Sequence, residues 1–167
     1  MFLCKSVDLN FIKTAKYKSI NEVEVDASPS QIFEFFEKGE SWVNWIPFIS
    51  KVEWTSPTPF KKGTTRTVTL NGIKVKEVFV EWNNNKRISF YFSETTIPFV
   101  KALLEDYQIF PLTNGNVKIV HTVAFEPHVV TKLVGPIMHK QMGQTFKNAI
   151  LDLPKQLSKK TERIKYE

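Results

Sequence analysis

The chain has 167 residues, 42% of them hydrophobic, and a formal net charge of +6, which fits a single domain, 1–167, with a sizeable core. Its one cysteine, Cys4, excludes an internal disulfide and a cysteine-cluster metal site, and fits a reducing cytoplasm. No apolar run is as long as a membrane span, and Met1-Phe2-Leu3-Cys4-Lys5 lacks the basic-then-apolar order of a secretory signal.

The basic residues are scattered over hairpins and the C-terminal tail rather than gathered on a recognition helix. Nucleic acid is therefore not expected as a partner. An anionic membrane surface, met by the basic face and tail, is the weaker alternative.

Residues 1–19 are weakly patterned and read either as an extra strand or as an extension lying along the domain. Ile20–Asp26 alternates, with Glu22, Glu24 and Asp26 opposed to Val23 and Val25, as in a half-buried strand. Ser28-Pro29-Ser30-Gln31 is a helix start: Ser28 caps, Pro29 takes the first helical position, and Gln31 completes a capping box. Ile32, Phe33, Phe35 and Phe36 form the apolar face, and Gly39 is read as the stop. Ser41–Ile49 predicts a second short helix or turn packed by Trp42 and Trp45.

Lys51–Thr55 is a strand. Thr64–Leu70 and Ile73–Trp82 flank Asn71-Gly72, the signature of a two-residue type I′ hairpin. That turn sets Leu70 opposite Ile73, Val68 opposite Val75 and Arg66 opposite Glu77. Arg66 and Glu77 then share a face with Val68, Val75 and Phe79, as a cross-strand ion pair on the concave side. Arg87–Glu94, Ala102–Leu112 and Val117–Phe125 are further strands, with Pro98 breaking the first connection and Asn114-Gly115 turning the second. A two-residue loop there sets Gln108 opposite His121 and Asp106 opposite Val123; a three-residue loop brings Tyr107 to the face of His121. Val129–Val134 reads as a short helical lead-in broken at Gly135. From Pro136 to about Leu157, Ile137, Met138, Met142, Phe146, Ala149, Ile150, Leu153 and Leu157 recur at helical spacing. A long helix with such a stripe, following many strands, must bury it against their sheet. A charged tail, 158–167, follows.

This order, together with Val23-Glu24-Val25-Asp26-Ala27-Ser28-Pro29-Ser30-Gln31-Ile32-Phe33, then Trp42, Trp45, Pro47 and Gly63-Thr64-Thr65-Arg66, resembles the START-like superfamily. That group holds polyketide cyclase/dehydrase, lipid-transport and birch-pollen-allergen-like proteins. Val52–Pro57 and Glu105-Asp106-Tyr107 look like an uncharacterised bacterial branch of it. The resemblance covers roughly residues 20–157. It implies an α+β helix-grip fold: a seven-stranded antiparallel sheet curved around the long C-terminal helix, with two short helices after the first strand and an apolar cavity between sheet and helix. Most members bind hydrophobic small molecules, a minority are cyclases or related enzymes, and no catalytic residue is shared across the fold.

Two functions follow as expectations. The first is binding or transport of a hydrophobic or amphipathic small molecule, lipid or polyketide-like. Phe79, Phe90, Phe92, Met138, Met142, Phe146 and Trp45 would supply the apolar wall; Arg66, Glu77 and His121 would select the polar end. Arg66 is either an anchor for a carboxylate or phosphate or half of a purely structural pair. Trp42, Trp45 and Phe48 either gate the cavity or staple the short helices to the sheet. The second function is a cyclase/dehydrase-type enzyme with His121 or Asp106 as general base, which requires the two to meet in one pocket. No phosphate-cradling glycine loop, G-x-S-x-G or H-E-x-x-H motif is present, and neither a metal nor a cofactor is expected.

Overall fold

The computed structural model describes residues 1–164; the end of the charged tail expected at 158–167 lies outside the described residues. In chain order the elements are β1 (Phe2–Leu3), α1 (Phe11–Thr14), β2 (Tyr17–Val25), α2 (Pro29–Glu37), α3 (Gly39–Trp45) and β3 (Ile49–Trp54). There follow β4 (Thr65–Leu70), β5 (Ile73–Asn83), β6 (Arg87–Thr95), β7 (Val100–Pro111) and β8 (Val117–Pro127). A 3-10 helix, Val129–Val134, then leads into α4 (Gly135–Ile164).

The main path of the antiparallel sheet runs β2-β8-β7-β6-β5-β4-β3, and β1 pairs with β6. The main path thus has the seven strands expected, and the N-terminal segment adds a short eighth. Phe2 and Leu3 pair with Thr95 and Glu94, the Cys4 amide donates to the Ser93 carbonyl, and the Lys5 amide donates to the Lys101 carbonyl. The segment therefore supplies partners where the end of β6 and the start of β7 part. It resolves the open reading of residues 1–19 in favour of an added strand followed by a helical turn.

Sheet curvature has a local cause. Two bulges interrupt the β5–β6 register, between Lys76 and Glu77 and between Phe79 and Glu81. A bulge bends its strand and increases its twist, and these two sit at the middle of the sheet. Phe79, Phe90 and Phe92 lie on the inner face and are fully buried.

The helix starts follow their chemistry. Ser28 Oγ accepts from the Gln31 amide at 3.3 Å, and Gln31 Oε1 accepts from the Ser28 amide at 2.8 Å, closing the capping box. Gly39 does not end the chain's helical run but opens α3. Gly135 is likewise the first residue of α4 rather than a break before it. Ile137 is 59% exposed and does not belong to the buried stripe; Met138 and Met142 are half-buried, and Phe146, Ala149, Ile150, Leu153 and Leu157 are buried.

α4 is seated on β2. His139 Nε2 lies 3.0 Å from the Lys18 carbonyl oxygen and 3.3 Å from Ser19 Oγ. A Cβ at Gly143 would come within 2.9 Å of Ser19 Oγ, so the missing side chain permits the close approach. The core continues into an aromatic cluster of Phe36, Trp42, Trp45 and Tyr107, with ring centroids 5.3–6.3 Å apart. Each such ring, fully buried, contributes about 1.5–3 kcal/mol of transfer free energy.

Candidate ligand cavity and its polar floor

Between the N-terminal half of α4 and the inner face of the sheet lies a cavity of about 380 Å³. Volumes of a few hundred cubic ångströms are typical of small-molecule sites. Its apolar wall includes Phe90, Phe92, Leu103, Met138, Met142 and Phe146. The exposed side chains Asn71, Gln141 and Thr145 also line it, which puts the mouth between the β4–β5 turn and α4. Phe99 and half-buried Phe48 complete the rim, with Phe48 edge-on to Phe146.

The floor is charged. Asn71 and Gly72 both take positive φ, 46° and 82°, which two-residue type I′ hairpins require. That turn pairs Leu70 with Ile73, Val68 with Val75 and Arg66 with Glu77, as read from the sequence. Arg66 Nε donates to Glu77 Oε2 at 2.5 Å, and both side chains are almost wholly out of solvent. The guanidinium sits in a cage of rings: its carbon is 4.1 Å from the Trp42 centroid, 4.6 Å from Phe90, 5.2 Å from Phe79 and 5.3 Å from Trp54. Such cation–π contacts replace part of the lost hydration. Arg66 Nη1 is buried without a hydrogen-bond partner among the described residues.

Glu77 shows which effect dominates. Burial pushes its carboxyl up from 4.5 to about 7, Arg66 pulls it back, and the charge of Glu105 adds to the rise. Desolvation therefore outweighs the salt bridge at this acid.

Glu105 was not among the sequence candidates. It lines the cavity, and its Oε2 accepts from Tyr107 Oη at 3.0 Å and lies 3.3 Å from His121 Nε2. Burial, followed by the nearby Glu105, raises the Tyr107 hydroxyl well above its ordinary range, so it stays protonated and donates. His121 is wholly buried, stacks on Tyr107 at 4.4 Å, and stands behind Glu105 rather than on the cavity surface. Its Nδ1 has no partner among the described residues.

Of the two loop lengths left open by the sequence, the three-residue one is observed, so the meeting of Asp106 with His121 that the cyclase reading requires does not occur. Tyr107, not Gln108, is opposite His121, and Asp106 is opposite Thr122. The loop spans Thr113-Asn114-Gly115, closed by the Leu112 amide donating to the Asn116 carbonyl, with Gly115 at φ +88°. One extra loop residue changes the parity, and successive side chains on a strand point to opposite faces. Asp106 accordingly lies on the outer face. There it accepts two bonds from Arg87 at 2.7 and 3.0 Å, one from Gln108 at 2.9 Å, and one from Ser89.

Other candidates sort by position. Phe79 backs the Arg66 cage without lining the cavity, and Trp45 does not line it either. Trp45 Nε1 instead donates to the Ala149 carbonyl of α4 at 2.7 Å, which makes it the staple between α3 and α4. Trp42 donates to the Phe36 carbonyl at 2.7 Å and forms part of the floor. Among the described residues no group of three or more His, Cys, Asp or Glu side chains is placed to hold a metal ion. No described helix is long and apolar enough to cross a membrane.

An antiparallel sheet gripping a long C-terminal helix over an apolar cavity defines the START-like helix-grip class. The family model for polyketide cyclase / dehydrase and lipid transport matches residues 18–157, and the chain belongs to that family. The uncharacterised protein Rv2574 of Mycobacterium tuberculosis is 37% identical over 137 residues, covering 81% of this chain and 78% of the relative. A START superfamily protein from Mycobacterium smegmatis superposes with a TM-score of 0.60 at 13% identity, over 82% of this chain and 99% of its own. The Zhui aromatase/cyclase from Streptomyces sp. R1128 gives 0.65 at 13% identity, over 83% and 93%. At these identities the two structures speak to the fold alone.

Proposed function

We propose that this protein binds or carries a hydrophobic small molecule in the space between α4 and the sheet, with the molecule's polar end at Arg66, Glu77 and Glu105. The observation that carries this reading is the combination of an apolar-walled cavity with a buried guanidinium nitrogen that lacks a partner. A purely structural Arg–Glu pair has no need of an adjoining cavity. Burying about 200 Å² of ligand apolar surface would supply about 5 kcal/mol before the cost of association.

Native mass spectrometry of the purified chain, with organic extraction of what it carries, tests the reading. Co-purified or added apolar compounds bound one to one are the expected result. Empty protein that fails to respond to a panel of lipids and aromatic compounds contradicts it.

A second element concerns delivery. The 3-10 helix next to the mouth exposes Val129, Val130 and Leu133, the last at 97%, and Ile137 and Ile97 are exposed nearby. This helix is tied to the rim by Thr131 Oγ1 donating to the Phe99 carbonyl at 2.7 Å. Lys132 and Lys140 are exposed beside these apolar side chains. An apolar apron fringed by lysines suits an anionic bilayer surface. Flotation with phosphatidylglycerol vesicles is expected to recover the protein, and Leu133→Asp to abolish recovery. Equal recovery of both proteins removes this element while leaving the cavity reading intact.

A further inference from the structure

Arg66, the one cationic side chain lining the cavity among the described residues, already has its own acid: it faces Glu77 at 2.5 Å. Three charged side chains line the space itself, one arginine and two glutamates. A carboxylate arriving there would add a negative charge beside Glu105 and beside a Glu77 that ionises near pH 7, with no cation of its own, in a largely apolar space. Like charges in such a setting disfavour one another strongly.

The unused hydrogen-bonding atoms are of both kinds. Arg66 Nη1 is a buried donor without a partner. Both hydrogen bonds to the cavity-lining Glu105 fall on Oε2, which leaves Oε1 to accept from an incoming donor. Buried polar atoms are nearly always satisfied in folded proteins. A hydroxyl both accepts and donates, and it brings no charge.

We propose that the cavity selects a ligand whose inner end is an uncharged hydroxyl on an apolar or aromatic body, and discriminates against the matching carboxylate. The proposal rests on the cavity being a binding site and goes further by naming the chemical class it takes. It sets aside the alternative in which Arg66 anchors a carboxylate or phosphate, because Glu77 already fills that role.

Three probes of one shape separate the outcomes: naphthalene, 2-naphthol and 2-naphthoate, titrated at pH 7.4 into the full chain and followed by calorimetry or tryptophan fluorescence. Naphthol is expected to bind at least tenfold more tightly than naphthoate. In Glu105→Gln, checked for folding by circular dichroism, that ratio is expected to fall at least threefold as one negative charge leaves the floor; Glu77→Gln should lower it less, because that carboxyl is partly protonated at this pH. Naphthoate binding as tightly as naphthol, while naphthalene still binds, overturns the selectivity and leaves the cavity reading standing. A ratio unchanged in both folded variants also overturns it. If none of the three binds, the proposal falls, while the cavity reading is decided by the lipid and aromatic panel above.

Discussion

Arg66 and Glu77 stand directly opposite on neighbouring strands, bonded at 2.5 Å, yet burial holds the Glu77 carboxyl up at about 7 despite the guanidinium beside it. The folded chain therefore keeps a proton on Glu77 at pH values where the unfolded chain, titrating near 4.5, has released it. With the folded value raised, this group's stabilising contribution is full below pH 4.5 and is lost as pH rises through about 7. The swing is on the order of 3 kcal/mol at most. Urea unfolding of wild type and Glu77→Gln measures it: the stability difference between them should move against wild type from pH 4.5 to 8. A difference that stays flat contradicts this.

Removing one partner of the pair strands the other. Arg66→Met should destabilise the fold by about 3–5 kcal/mol, since Glu77 stays buried without its cation. Adding Glu77→Leu to Arg66→Met should recover much of that loss, because neither charge then needs to be desolvated. Denaturant midpoints of the two variants check this, and a double variant no more stable than the single would count against it.

Asp106 serves the outer face of the sheet. Asp106→Ala removes the acceptor of four hydrogen bonds, leaves the Arg87 charge unpaired, and should cost about 2–4 kcal/mol. The affinity of the folded variant for cavity ligands should remain within about twofold of wild type, a shift worth well under 1 kcal/mol. Loss of binding in a variant that retains its circular dichroism spectrum would return Asp106 to the site.

The contrast between the two hairpins shows what the sequence makes legible. At Asn71-Gly72 both turn residues take positive φ, a two-residue loop results, and the Arg66–Glu77 pairing follows by counting. At Asn114-Gly115 the same dipeptide ends a three-residue loop, with Thr113 drawn into the turn. The two loop lengths differ by one residue, and that residue decides whether Asp106 or Glu105 shares a face with His121. Glu105 was readable only under the second alternative, and no local signal chose between them. The stripe of α4 was legible from Met138 to Leu157, because helical periodicity survives without knowledge of the partner. Trp45 was not placed, because an indole that lines a cavity and one that staples two helices look alike in sequence.

Trp45→Phe separates those roles. It keeps an aromatic ring but removes the second ring of the indole and the bond to the Ala149 carbonyl, and should cost about 2–4 kcal/mol in urea unfolding. Ligand affinity should hardly change, because the side chain does not line the cavity.

Met142 lines the cavity near its mouth and is half-buried. Met142→Trp places a larger ring into existing space, so any loss of stability should stay within about 3 kcal/mol of wild type. Ligand affinity should fall at least tenfold, about 1.4 kcal/mol. Unchanged affinity would mean that ligands bind elsewhere.

The most direct measurement is methyl NMR of the labelled chain during titration with 2-naphthol. Saturable shifts are expected at Met138, Met142, Leu103 and Ile73, which line the cavity, with Leu151 on the exposed face of α4 unmoved. Shifts confined to exposed methyls, or none at millimolar ligand, would contradict binding between the helix and the sheet.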